Sequence, residues 1–123
     1  MTFGRDLMRG SLDLMILSVL AEQPLYGYLV QKRVREASAN MVRIQAGTLY
    51  PLLHKLESAG AIHSYWDSST GRDRKWYEIT DKGKRLLQHQ AAEWHQYVEC
   101  LRRLLGPGKL DPGLTEPAIE LNS

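Results

Sequence analysis

The chain has 123 residues, 43% of them hydrophobic and 24% charged, which suits one soluble globular domain and is too short for a two-lobed enzyme. Its formal charge of +2 is uneven: residues 107–123 carry a net −2 and residues 1–106 hold 15 basic against 11 acidic groups, an excess that admits a nucleic-acid partner without requiring one. The single cysteine, Cys100, rules out an intrachain disulfide and points to a reducing, cytoplasmic setting; the opening MTFGRDLMRG has no leader pattern, and the apolar run 12–20 is too short for a bilayer.

Ser11 is placed to N-cap a helix from Leu12 to about Glu22. Leu12, Leu14, Met15, Ile16, Leu17, Val19 and Leu20 surround nearly its whole circumference, so cover is expected from its own domain on one side and from a second chain on the other. Gln23-Pro24 ends it. Residues 27–37 read as a second helix, with Tyr26, Val30, Val34 and Ala37 inward and Lys32, Arg33 and Arg35 outward; Arg33 and Arg35 read as a solvated face. In the connector 38–46, Met41, Val42 and Ile44 predict a short strand.

The segment 47–60, GTLYPLLHKLESAG, is the most informative. Leu49, Leu52, Leu53 and Leu56 recur at helical spacing, which puts Gly47, Tyr50, Pro51, His54, Lys55 and Ser58 on the opposite face with Thr48 at its edge. Pro51 fits only near a helix start, so the helix is expected to begin at Gly47 or Thr48. No acidic residue lies between Arg43 and Lys55, and an acid-free helix N-terminus with small and hydrogen-bonding side chains suits phosphates and base edges. The alternating runs 62–66 and 75–79, around Ser68-Ser69-Thr70-Gly71, predict a hairpin whose Arg72, Arg74 and Lys75 form a cationic wing. The candidate DNA face is therefore Arg43, Gln45, Gly47, Thr48, Tyr50, His54 and Lys55 together with Arg72, Arg74 and Lys75. For Thr48 and Tyr50 the competing reading is a turn cap and a partly buried ring; for His54 and Lys55 it is a solvated face.

Thr80 is placed to cap a long helix that Gly106-Pro107-Gly108 stops, and the acidic Pro/Gly-rich tail 107–123 reads as disordered. Leu87, Ala91, Trp94, Val98, Leu101 and Leu105 follow the 4-3-4-3-4 spacing of a coiled-coil seam, widened by Leu86, Tyr97 and Leu104. A seam and a first helix that both need cover predict a homodimer in which this helix crosses to the partner, with Leu12, Met15 and the six seam residues at the interface. Two copies of Trp94 near the dimer axis, beside Met8, Met15, Gln90 and Val98, would make a pocket for a planar aromatic effector; the competing reading is interface packing. His89/Glu93 and His95/Glu99 lie on different sides of the helix and do not predict a metal site, Cys100 reads as packing, and no phosphate cradle or catalytic signature appears, so neither an enzyme nor a cofactor is expected.

Five motifs in register carry a family resemblance: Gly10-Ser11-Leu12 with Ile16-Leu17, Pro24-Leu25-Tyr26-Gly27-Tyr28, Gly47-Thr48-Leu49-Tyr50-Pro51, Leu56-Glu57-Ser58-Ala59-Gly60, and Gly71-Arg72, Arg74-Lys75 and Tyr77-Glu78-Ile79-Thr80. In that order they resemble the PadR family of bacterial transcriptional regulators, in its short branch with a single C-terminal helix. The resemblance runs from about Met8 to Leu105 and implies a mainly α fold with a small β-hairpin. It further implies a winged helix-turn-helix over 1–80, a dimerisation helix over 81–106, and repression from a pseudo-palindromic operator in double-stranded DNA. Asp73 and Trp76 depart from the family pattern, and Asp73 could hold Arg72 locally. The competing functions are a winged-helix module that binds protein and a ligand-binding dimer without DNA activity.

Overall fold

The computed structural model describes residues 3–110, which divide into two compact units that part between Gln88 and His89. In chain order the elements are α1 (Arg5–Met8), a 3-10 turn (Arg9–Ser11), α2 (Leu12–Leu20), β1 (Leu25–Tyr26), α3 (Gly27–Ala37), α4 (Ala46–Ser58), β2 (Ile62–Asp67), β3 (Arg74–Ile79) and α5 (Asp81–Leu110). The fold is mainly helical with one small antiparallel sheet, in the order β1-β3-β2.

Helical and strand periodicity converge on one core. Ile16, Leu17 and Leu20 of α2, Val30 of α3, Leu49, Leu53 and Leu56 of α4 and Ile62 of β2 are fully buried. Each is worth about 1.5–3 kcal/mol of transfer free energy. The sheet adds Leu25, Tyr77 and Ile79 from its inner face. Its register pairs Ile62 with Ile79, Ser64 with Tyr77 and Trp66 with Lys75 on that face. On the other face His63 pairs with Glu78, Tyr65 with Trp76 and Asp67 with Arg74, while β1 sets Tyr26 opposite Trp76.

The two ends of α4 are finished differently. At its C-terminus Gly60 takes a left-handed φ of 78°, its N–H donates to the Glu57 carbonyl (3.0 Å) and the Ala61 N–H donates to Leu56 (2.9 Å). This is a glycine-terminated cap that satisfies the last carbonyls. The next helix begins against the same point. The Thr80 N–H donates to the Ala61 carbonyl (3.0 Å), and its hydroxyl donates to Gly60 (2.6 Å) while accepting the Gly83 N–H (3.0 Å). Thr80 thus caps α5 as its sequence predicts. A Cβ on Gly83 would collide with the Ala61 carbonyl oxygen, so only glycine allows this approach.

Several expectations change. Ser11 does not cap α2 with its side chain, because the preceding turn is already helical; its hydroxyl donates instead to the Met8 carbonyl. The helix ends at Leu20, two residues early, and Ile16, Leu17, Val19 and Leu20 are buried by their own domain without a second chain. Leu12 and Met15, with Leu86 and Leu87 of α5, are partly buried against the same core. Ala37 is exposed at the end of α3, where it rims a shallow apolar hollow with Met15, Val19, Val34 and Val42. No strand forms at residues 41–44, although Val42 and Ile44 are buried; the third strand is Leu25–Tyr26. Gly106 (φ 65°, ψ 167°) breaks α5 where a stop was expected, and the helical turn then resumes to Leu110; the rest of the tail read as disordered lies outside the described residues. Pro107 fits the first position of that resumed turn, which needs no N–H.

In the second unit, Tyr97, Val98, Leu101, Leu104 and Leu105 are exposed. Trp94 packs edge-to-face on Tyr97, with ring centroids 5.5 Å apart. Glu99 is within 3.5 Å of both Arg102 and Arg103. No described helix is long and apolar enough to cross a membrane.

Candidate nucleic-acid interface

Helix α4 starts at Ala46, one to two residues earlier than Pro51 suggested, so Pro51 falls in the second turn. The missing Pro51 N–H leaves Gly47 without its partner four residues on. Gln45 holds the N-cap position in extended backbone without a side-chain cap, and its carbonyl accepts from Thr48 (2.9 Å) and Leu49 (2.8 Å). No acidic residue stands in the first turn. At Gly47 an added Cβ would meet nothing within 4 Å, so no intrachain contact demands a glycine there.

Tyr50 combines the two readings its sequence allows. Its ring lies over Gly27, where any larger residue would strike the phenol, yet the residue is 48% exposed. Gly27, which is buried, is therefore a positioning residue for Tyr50 that sequence reasoning did not single out. Thr48, Gln45, Arg43 and His54 are exposed. Lys55 is exposed as expected, and its ammonium pairs with Asp13 of α2 at 3.0 Å. The acid-free stretch of sequence acquires a carboxylate from 42 residues away.

Beside the start of α4, Tyr28, Gln31, Lys32 and Arg35 form one stripe of α3 and face Arg43, Ile44 and Gln45 across a hollow of about 290 Å³. Gln31 donates to the Ile44 carbonyl (2.9 Å), which fixes the connector to α3. Lys32, Arg35 and Arg43 have no ion-pair partner among the described residues, whereas Arg33 on the same helix is held by Glu22 at 2.9 Å. The structure thus separates Arg33 and Arg35, which the sequence placed together. The spacing of Tyr28, Lys32 and Arg35 was the available signal. A smaller hollow of about 170 Å³ brings Phe3, Arg5, Met8 and Leu12 against Arg43, Gln45 and Thr48. Nothing in the sequence pointed to Arg5.

On the wing, Arg72 and Lys75 are exposed, and Arg72 makes no ion pair with Asp73 among the described residues. Arg74 differs from the free cation expected. Its guanidinium stacks over the Tyr26 ring at 4.2 Å, and Trp76 meets Tyr26 edge-on at 5.1 Å. Arg74 therefore braces the wing to β1, a cation–π contact that holds its head half-buried. At the tip, the Asp67 carboxylate accepts the Ser69 N–H (2.6 Å), which holds its pKa below the ordinary range, and Gly71 supplies a φ of 95°. At the base, the Ser64 hydroxyl donates to Glu57 of α4. Burial raises the Tyr77 pKa, helped by the charges of Glu57 and Tyr50 beside it.

Of the pocket residues expected around Trp94, Met8 and Met15 belong to the first unit and Gln90, Trp94 and Val98 to the α5 segment of the second. Within the second unit Glu93, Trp94 and Tyr97 line a shallow hollow of about 360 Å³. His89 lies 3.6 Å from Glu93, and among the described residues no three metal-ligating side chains converge.

Two helices joined by a fixed connector, the second flanked by a two-stranded arm, define the winged helix-turn-helix class. Comparison with known proteins carries this further. The Transcriptional regulator PadR-like family matches residues 16–89. A transcriptional regulator of Mycobacterium tuberculosis is 36% identical over 103 residues, covering 83% of this chain and 90% of that protein. A transcriptional regulator from Clostridium thermocellum superposes with a TM-score of 0.76 at 32% identity, over 82% of this chain and 99% of that one. A PadR family transcriptional regulator from Eggerthella lenta gives 0.73 at 38% identity, over 84% and 88%. The chain belongs to the PadR-like family, which is made up of transcriptional regulators and not of enzymes.

Proposed function

We propose that this regulator is a cytoplasmic homodimer that represses transcription by binding an inverted repeat in double-stranded DNA. The observation that carries the reading is the start of α4, which is exposed, uncapped and free of acid, with a glycine that no intrachain contact requires. Unpaired N–H groups and the helix dipole favour a phosphate there, and a missing Cβ lets a DNA backbone approach. Residues 1–80 would form the DNA-binding part, with Thr48 and Tyr50 toward base edges. Lys32, Arg35 and Arg43 on one side and Arg72 and Lys75 on the other would hold phosphates. Residues 81–106 would supply dimerisation, since Val98, Leu101, Leu104 and Leu105 leave an apolar stripe exposed on a single chain.

The test is selection from random-sequence duplexes by purified protein at stated salt. An inverted repeat is expected, with half-sites separated by about one turn, roughly 34–36 Å, or a multiple of it. Lys75→Ala should flatten the salt dependence by about one unit while sparing sequence preference. Failure to enrich any sequence, or a monomer at micromolar concentration, overturns the reading.

A second reading concerns Trp94, whose half-buried indole and Tyr97 partner line an open hollow. A planar aromatic effector bound there would release DNA by preferring one arrangement of the dimer, with a coupling of about 1–3 kcal/mol, roughly 5–150-fold. Trp94→Ala should then abolish release and leave the dimer intact. No release by a broad aromatic panel reduces Trp94 to interface packing.

A further inference from the structure

Trp66 is the one tryptophan of the wing that the chain leaves uncovered. It is 68% exposed near the tip of β2, while Trp76 on the opposite face of the same hairpin is packed against Tyr26. The strand register fixes the direction in which Trp66 looks. Along its face the cross-strand pairs run Ile62 with Ile79, then Ser64 with Tyr77, then Trp66 with Lys75. The first pair is buried in the core, and the second reaches α4 through the Ser64–Glu57 bond. The third pair continues the same face beyond the cover of the helix. Trp66 therefore stands on the hairpin face that meets α4 at Ser64, but further out toward the tip, where it is exposed.

The side chains of these three pairs suit a duplex at the tip. None of the six is a carboxylate, because Asp67 and Glu78 project from the opposite face by strand alternation; Glu57 of α4 meets the face at Ser64, toward its buried end, and Asp73 lies exposed in the adjoining loop. Lys75 stands directly across from Trp66, and Arg72 follows in the adjoining loop. An indole beside two cations matches the sugar–phosphate ridge of DNA, which offers apolar deoxyribose carbons between charged oxygens. Proteins that enter the minor groove also set apolar side chains against DNA, there as wedges between base steps.

We infer that Trp66 packs its indole on the deoxyribose edge of duplex DNA beside the groove that receives α4, giving the wing a non-ionic contact next to Lys75. This inference rests on the proposed DNA-binding function and adds a residue to its face.

Salt dependence separates this contact from a phosphate contact, because a neutral side chain releases no counterions. Operator binding would be titrated across a salt series for wild type, Trp66→Ala, Trp66→Phe and Lys75→Ala, using the duplex that the wild type selects. Trp66→Ala should weaken binding about fivefold, the lower end of what an aromatic side chain stacked on a single-stranded base contributes, with the salt slope unchanged. Trp66→Phe should recover part of the loss, and Lys75→Ala should lower the slope. Wild-type affinity in Trp66→Ala overturns the inference, as does a loss accompanied by a lower slope. A second measurement needs no truncation of Trp66: in Trp76→Phe/Trp94→Phe protein, the operator should blue-shift its emission and shield it from acrylamide. Unshifted, fully quenchable emission in the bound complex overturns the contact. If wild type binds no duplex at all, the proposed function falls and this inference falls with it; if wild type binds and Trp66 proves silent, only the inference falls.

Discussion

The two ends of α4 are made of similar residues and fixed to opposite degrees. The C-terminal end is fastened on every side: Gly60 and Ala61 close its carbonyls, Glu57 accepts from the wing, Lys55 reaches Asp13 of α2, and Thr80 and Gly83 seat the next helix on it. The N-terminal end has no side-chain cap, no acidic group and a glycine in open space. One end is bound into the fold and the other is left open. Helix termini are satisfied by side chains, water, 3-10 bonds or ligands, so the contrast within one 13-residue helix distinguishes its two ends more sharply than net charge does.

Substitutions at each end test the contrast. The largest effect is expected at the fastened end. Gly83→Ala forces a methyl onto the Ala61 carbonyl and should cost about 3 kcal/mol, near the upper part of the range for overpacking, read from urea midpoints. A wild-type midpoint would mean that the joint between α4 and α5 yields. At the open end, Gly47→Ala should behave in the reverse sense. Removing a helical glycine should raise stability by about 0.5–1 kcal/mol. The added methyl should at the same time reduce operator affinity at least about tenfold, or about 1.4 kcal/mol. Stabilisation with unchanged DNA binding would show that nothing approaches Gly47 closely. The smallest effect is expected at Lys55. Its exposed ammonium pairs with Asp13, so Lys55→Ala should cost about 0.2–1 kcal/mol of stability and leave the salt slope of DNA binding unaltered. A slope reduced by one unit would return Lys55 to the phosphate-binding set.

What could be read from the sequence was local. The leucine spacing of α4, the hairpin alternation and the Thr80 cap each involve residues a few positions apart, and each took its expected form. What could not be read depends on distant pairing. Strand β1 is only Leu25–Tyr26 and exists because Tyr77 and Trp76 lie alongside it, so its two residues carry no periodicity of their own. The connector residues Val42 and Ile44 had the composition of a strand but spend their side chains on the core instead. Lys55 and Arg74 were both legible as cations, and only the fold reveals that one meets Asp13 and the other Tyr26. The same holds for the stripe Tyr28, Lys32 and Arg35, whose meaning comes from Arg43 across the hollow.

The brace of Arg74 on Tyr26 has a consequence for the thermodynamics of recognition. A free two-stranded arm would have to freeze its backbone and its arginine rotamers when it met DNA, at about 0.5–1.5 kcal/mol for each long side chain immobilised. Here the arginine is already spent on holding the arm to β1, and the arm is tied to α4 through Ser64 and Glu57. Wing and α4 would therefore reach a duplex as one preset shape, with the ordering penalty of the wing already met in folding. Arg74 would strengthen DNA binding without touching DNA, by lowering the entropy that the complex has to surrender.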